Sequence, residues 1–267
     1  MLSQASATPA PAGAGSASLY EEVAQLQAGQ PWGHFLDAGT GRASLSWLLG
    51  QETEAWTAVT GSPAMLETVR QHAGDRLRAQ DRLVLGNWMD AELLHGERYD
   101  TVLADYLLGA IEGFAPYWQD RLFARLRPLV RRRLYVIGLE PYVSRFPDDP
   151  AGAIVTAIGR LRDACLLLAG ETPYREYPLE WVLRQLRSSG FRTLDVRRYP
   201  IRYGPRFIDS QLDMCTQRLG RLRDRQLALS LMEHVQDLRA RAHALCSQEQ
   251  GLRHGHDYLI LAEPDMR

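Results

Sequence analysis

Over residues 31–141 the chain alternates between short apolar runs and longer stretches with apolar residues at helical spacing. The runs His34–Leu36, Ala55–Val59, Arg82–Leu85, Thr101–Ala104 and Leu134–Leu139 each end on a polar residue or a glycine, and the last is almost wholly apolar. These runs read as strands, and the last is as expected for a buried parallel one. Between them, Ser44–Leu49 fits a short helix. Ser62-Pro63 supplies an N-cap and a proline at the first helical position, opening a helix with Met65, Leu66, Val69 and Leu77 at helical spacing. Residues 109–127 predict an amphipathic helix, interrupted early by Pro116 and ended by Arg127-Pro128. Strands and helices alternating over short connections predict an α/β fold with a doubly wound, mostly parallel sheet.

Beyond residue 141 the pattern is less regular. Pro150–Ala169 places Ile154, Ile158, Leu161, Cys165 and Leu168 on one helical stripe, and Pro178–Ser189 predicts a second helix stopped by Gly190. Phe191–Tyr199 alternates with the period of a strand near a sheet edge. Asp257–Ala262 is a last apolar strand, closed by Pro264. Between those two strands, residues 206–249 step Ile208, Leu212, Cys215, Leu219 and Leu222 by threes and fours, with Gly220 as a break between two helices. This insertion is expected to cover the site, to pack on its own domain, or to form a homodimer interface. Residues 1–18 are rich in Ala, Ser, Gly and Pro and lack the basic and apolar regions of a secretory signal, so they read as a disordered tail. The expected organisation is therefore a tail (1–18), a core (19–141) with an N-terminal lid helix carrying Tyr20, and a remainder (142–267) that completes the same domain.

At 267 residues the chain holds one α/β domain with additions, or at most two small ones. A formal charge of −1 gives no global field toward nucleic acid or anionic membrane, so neither is expected as a partner. All basic residues are Arg; without any Lys, Schiff-base and P-loop lysine chemistry are excluded. Three widely separated cysteines, Cys165, Cys215 and Cys246, have no metal-ligand spacing, and their odd number fits reduced core thiols in a cytoplasmic protein.

The sharpest local feature is the turn Asp37-Ala38-Gly39-Thr40-Gly41 after the first strand. Glycines there let the backbone turn sharply and approach a ligand at the carboxyl end of the sheet. A dinucleotide fingerprint would call for a third glycine where Ala43 stands and an acidic residue ending the second strand, which disfavours an oxidoreductase. Residues 31–141 resemble the core of class I S-adenosylmethionine-dependent methyltransferases. His34–Gly41 is similar to that family's first motif, and Val59–Leu66 resembles the segment after its second strand. Leu85–Trp88 takes the place of its adenine loop, Tyr99–Asp105 that of its fourth-strand motif, and Leu126-Arg127-Pro128 and Asp257–Ala262 also look familial. The resemblance implies a Rossmann-like, seven-stranded, mostly parallel sheet flanked by helices, with a helical insertion before the last strand.

It also implies roles for residues. Gly39, Thr40 and Gly41 would lie under the methionine part of S-adenosyl-L-methionine, and Asp37 would bind its amino group directly or through water. Thr60 and Gly61 would stand at the ribose. Asn87 would reach the adenine amino group with Trp88 and Met89 packing nearby, and Asp105 would face the methionyl ammonium with Tyr106 beside the reactive methyl. One departure matters: the family usually ends its second strand with Asp or Glu, whereas Thr60 supplies no charge assistance to the ribose hydroxyls. Either another residue takes the ribose or the cofactor is held less tightly.

The acceptor side is less legible, because methyl transfer mainly requires alignment and exclusion of water. Tyr20, Tyr106 and Tyr142 are the catalytic candidates, with Tyr174, Tyr177 and Tyr203 also able to orient an acceptor; the Tyr20 and Tyr106 positions also fit cofactor contact. Glu112 and Glu140 read as exposed or salt-bridged carboxylates rather than bases. His254-Gly255-His256-Asp257 reads as a solvated loop remote from the site rather than a metal centre, and Arg131-Arg132-Arg133 as a solvated loop rather than a phosphate patch. The expected function is methyl transfer from S-adenosyl-L-methionine to a small-molecule acceptor; the alternative is a catalytically silent partner or regulatory subunit with the same fold.

Overall fold

A computed structural model describes residues 16–265. Its seven strands are β1 (His34–Asp37), β2 (Ala55–Thr60), β3 (Arg82–Leu85), β4 (Tyr99–Asp105), β5 (Val130–Leu139), β6 (Phe191–Tyr203) and β7 (Leu252–Pro264). They form one sheet in the order β3-β2-β1-β4-β5-β7-β6. The first five run parallel, and β7 is antiparallel to both β5 and β6. The order reverses between β1 and β4, so the connections leaving those two strands turn to opposite sides and open a crevice at their carboxyl ends.

Side-chain alternation along the strands divides the interior into two cores. Phe35, Leu103, Tyr135, Ile137, Leu259 and Leu261 face one side. There they meet α1 (Ser16–Gln27), α2 (Arg42–Leu48), α3 (Pro63–Ala73), α6 (Pro150–Leu168), α8 (Pro205–Leu219) and α9 (Arg225–Gln248). Leu36, Val59, Val102, Leu134, Val136 and Ile260 face the other side, against α4 (Leu107–Ala110), α5 (Gln119–Leu126) and α7 (Leu179–Ser188). Ser62 caps α3 as its motif predicts, its hydroxyl accepting the Met65 N–H at 3.2 Å with Pro63 at the first helical position. The insertion between β6 and β7 is the pair α8 and α9, separated at Gly220. All three cysteines are buried.

Several expectations are corrected. Residues 109–127 are not one helix: Leu107–Ala110 is followed by a 3₁₀ turn at Ile111–Gly113, and α5 starts only at Gln119. Pro116 and the left-handed Tyr117 (φ 63°) stop propagation between the two. Arg131–Arg133 lie in β5 and not in a solvated loop; Arg131 sits 3.2 Å from Asp100, and Arg133 donates to the Leu26 carbonyl at 2.8 Å. His254, Gly255 and His256 belong to β7, whose antiparallel course brings Asp257 opposite Leu139 at the carboxyl end of β5. That segment is therefore next to the crevice, not remote from it. Helix α1 begins at Ser16, so residues 16–18 of the expected tail are helical; residues 1–15 lie outside the described residues.

Candidate active site

The first two strands of the crevice each deliver a carboxylate. Asp37 ends β1 at 0% exposure, and neither of its oxygens has a hydrogen-bond partner among the described residues. Burial pushes its carboxyl up to about 6, against the weaker pull of nearby Ser44, Thr40 and the Gly39 N–H. Asp105 ends β4. One of its oxygens accepts from the Tyr20 hydroxyl at 2.6 Å and the other is buried without a partner. Burial raises Asp105 to about 7; Tyr20 pulls it down, and the negative charges of Asp37 and Asp257 push it up. Tyr20 is held for this contact by stacking on Trp47, with ring centroids 5.3 Å apart.

Around these carboxylates lies a cavity of about 360 Å³. Its wall is built from the glycine turn, the end of β2, the loop after β3 and the residues that follow β4. Gly39, Thr40, Gly41, Thr60, Gly61, Asn87, Trp88, Asp105, Tyr106 and Tyr20 all line it. Asp37 stands behind this wall. A Cβ at Gly41 would meet nothing within 4 Å, so the turn opens directly onto free space, whereas Gly39 and Gly61 are needed for close packing against Leu107 and Phe114 (each 2.9 Å from the Cβ position). The Trp88 indole donates to the Ala38 carbonyl at 2.8 Å and so ties the third-strand loop to the turn. Asn87 donates to the Phe114 carbonyl (2.9 Å) and accepts from the Met89 N–H (3.0 Å), so its carbonyl oxygen keeps one lone pair for a further donor. Thr60 accepts the Ser62 N–H at 3.2 Å, keeping its O–H available to donate.

Solved structures with this architecture are many, but no family model matches the chain and no curated protein matches it in sequence. A provisionally assigned methyltransferase from Bacillus halodurans superposes with a TM-score of 0.59 over 93% of this chain and 100% of its own, at 13% identity. The mycolic acid cyclopropane synthase CmaA1, solved with S-adenosylhomocysteine (SAH), gives 0.56 over 92% and 83% at 14% identity. SpnF, a four-plus-two cyclase, gives 0.55 over 94% and 81% at 18% identity. The chain has the class I methyltransferase fold. Neighbours that include cyclopropane synthases and a cyclase show that this methyltransferase fold carries more than one reaction, so chemistry must be argued from the site.

Within the methyltransferase fold, two of the three tyrosine candidates reach the cleft. Tyr106 is left-handed (φ 46°), a conformation uncommon outside glycine, and its hydroxyl lies beside Asp257. Tyr142 does not line this cavity. It is fully buried behind it and accepts a hydrogen bond from Arg162 at 3.1 Å. Glu112 is buried rather than exposed, accepting from Gln119 (2.5 Å) and the Tyr117 N–H (3.1 Å), with Arg175 at 3.6 Å. Glu140 pairs with Arg198 at 3.5 Å. Sequence reasoning missed Glu176 and Asp257. Burial raises Glu176 to about 8, opposed by Arg162 and reinforced by Asp257; burial raises Asp257 to about 6 against the pull of Tyr106. Glu176 lies half-buried in the irregular stretch before α7, where no periodicity marks an inward-facing position. Asp257 was masked by the loop-like composition around it.

Proposed function

We propose that the cleft binds S-adenosyl-L-methionine and that the protein transfers its methyl group to a small molecule. The observation that carries this reading is the convergence, at the crevice between β1 and β4, of four chain segments resembling the family's motifs around one cavity. The residues present fit the cofactor. Asp37 and Asp105 leave three buried carboxylate oxygens without partners, which suits a ligand ammonium, and the open face at Gly41 leaves room for its methionine arm.

When bound, S-adenosyl-L-methionine supplies a methyl group made electrophilic by its sulfonium. Asp105, positioned by Tyr20, and Asp37 behind the turn would hold the ammonium end. Thr60 would meet the ribose through its hydroxyl, and Asn87 with Trp88 would enclose the adenine. Tyr106 would bound the space reached by the acceptor, where side chains from Leu107, Ile111 and Phe114 exclude water.

The test is calorimetric titration of the purified chain with S-adenosyl-L-methionine and with SAH, followed by a cell-extract screen using isotopically labelled cofactor. Binding of both, with a labelled small-molecule product, is the expected result. Absence of binding by either would sink the reading. Thr60 favours a second one, a catalytically silent protein that keeps the fold, because its hydroxyl already serves Ser62 and carries no charge. Binding of SAH without any labelled product would select that alternative.

A further inference from the structure

Tyr174 lines the cleft on one side and, on the other, a second cavity of about 590 Å³. The charged groups on that second wall are Glu112, Arg162, Asp163, Arg175 and Glu176. Arg162 is 7% exposed and its guanidinium is engaged throughout, by Asp163 at 2.7 Å and by Tyr142 and Gln211 at 3.1 Å each. Arg175, at the rim, stands 3.6 Å from Glu112. Two cations are thus matched by two carboxylates. Glu176 is left over: among the described residues no cation lies within ion-pair distance of it and no donor bonds its carboxylate.

The fold makes room for this arrangement. A Cβ on Gly109 would fall 2.5 Å from each Glu176 oxygen, one on Gly159 would fall 2.8 Å from the Tyr142 ring, and one on Gly113 would fall 3.2 Å from Tyr174. Three glycines on separate segments therefore admit three polar side chains of the same cavity wall. Behind this wall the Tyr203 hydroxyl, on a side chain 1% exposed, has no hydrogen-bond partner among the described residues and feels the charges of Asp257, Arg162 and Glu176. Buried polar groups ordinarily find partners within the protein, and an unpartnered carboxylate on a cavity wall leaves that partner to a ligand. The rest of the wall is apolar or aromatic, with Leu139, Leu166 and Tyr174 among it. A carboxyl among ring faces, held near neutrality by burial and ionised by an approaching cation, selects a cation with a hydrophobic body and offers no charge partner to an anion.

We infer that this cavity binds a protonated organic amine with an apolar or aromatic body, its ammonium on Glu176, and that this amine is the methyl acceptor. Glu176 takes one ammonium proton, the freed nitrogen lone pair forms the new N–C bond as the S–C bond of the cofactor breaks, and SAH leaves. The acceptor role rests on the function proposed above; the cation site does not. The probes are phenethylamine, 2-phenylethanol and 3-phenylpropionate, which share a ring and a short chain and differ in carrying an ammonium, a hydroxyl or a carboxylate. Calorimetry of the full chain with SAH present should show the amine binding at least ten-fold tighter than the alcohol and no binding of the carboxylate. Glu176→Gln should bring the amine down to the level of the alcohol while leaving SAH binding unchanged. Equal binding of amine and alcohol, preference for the carboxylate, no amine binding, or an unaltered Glu176→Gln variant would each overturn the site. If that variant does not fold, the ranking of the three probes on the wild-type chain decides alone. Amine binding without any SAH binding would instead sink the methyltransferase reading and leave the cation site standing.

Discussion

Asp37 keeps its carboxylate at 0% exposure with neither oxygen bonded, a state that costs stability until a cation arrives. Its carboxyl sits near 6 in the folded chain, against about 3.9 in an unfolded one. The folded state therefore holds the proton more tightly, and the associated stabilisation, of about 3 kcal/mol, is present below the unfolded value and lost as pH rises through about 6. Asp37→Asn should flatten the fall in stability between about pH 4 and 6 seen in urea unfolding. It should also weaken SAH binding at least ten-fold, and a variant that binds SAH like the wild type would remove Asp37 from the site. Thr60 offers the opposite change. Thr60→Asp keeps an acceptor for the Ser62 N–H and adds charge toward the ribose hydroxyls, so SAH should bind about five- to ten-fold tighter by calorimetry, in line with the ~1–1.5 kcal/mol that a charged acceptor adds to a hydrogen bond. An unchanged affinity would place the ribose elsewhere.

Helix α1 illustrates how an element is recruited to a site from outside the sheet. Its inner face docks through Leu19 and Val23, both buried. Three polar ties fix its rotation: Tyr20 to Asp105 at 2.6 Å, Glu22 to Arg197 and Tyr199 at 2.6 and 2.8 Å, and Gln27 to Tyr135 at 2.7 Å. Tyr20→Phe removes the tie that reaches the cleft and leaves Asp105 with no partner for either oxygen. The expected cost is about 1–3 kcal/mol at pH 8, where Asp105 is charged, and less at pH 5.5, where it is largely protonated. Paired denaturation curves at the two pH values measure that difference, and equal losses at both would deny the Tyr20–Asp105 contact its electrostatic role. Helices α8 and α9 belong to a different kind of element. Arg239 joins them through Asp209 and Asp213 at 2.6 Å each, and their apolar stripes merge into the core that covers one sheet face. Of the roles expected for this insertion, packing on its own domain is the one visible.

For the whole molecule, the two cores and the crevice between β1 and β4 should respond to a ligand as one unit. SAH at about one hundred times its dissociation constant should add about 2.7 kcal/mol, raising the melting temperature by roughly 5–10 °C for a chain of this size. No upward shift in a thermal melt would be incompatible with specific binding to the folded state. No helix among the described residues is long and apolar enough to cross a membrane. The sequence by itself determined the existence of the first five strands, the capped start of α3 and the glycine turn, because each depends on interactions within a few residues or on a short run of apolar side chains. It also named Gly39, Thr40, Gly41, Thr60, Gly61, Asn87, Trp88 and Asp105, which line the cleft at fixed distances from strand ends, but not Ala38, Val59, Met65 or Gly86 beside them. Only the tertiary structure decided that β7 runs antiparallel and brings Asp257 to the carboxyl end of β5, that Tyr142 sits behind the cleft, and that Glu176 enters a space left by Gly109. Those facts depend on segments far apart in sequence, where neither periodicity nor turn chemistry records which group will be deprived of water or of a partner.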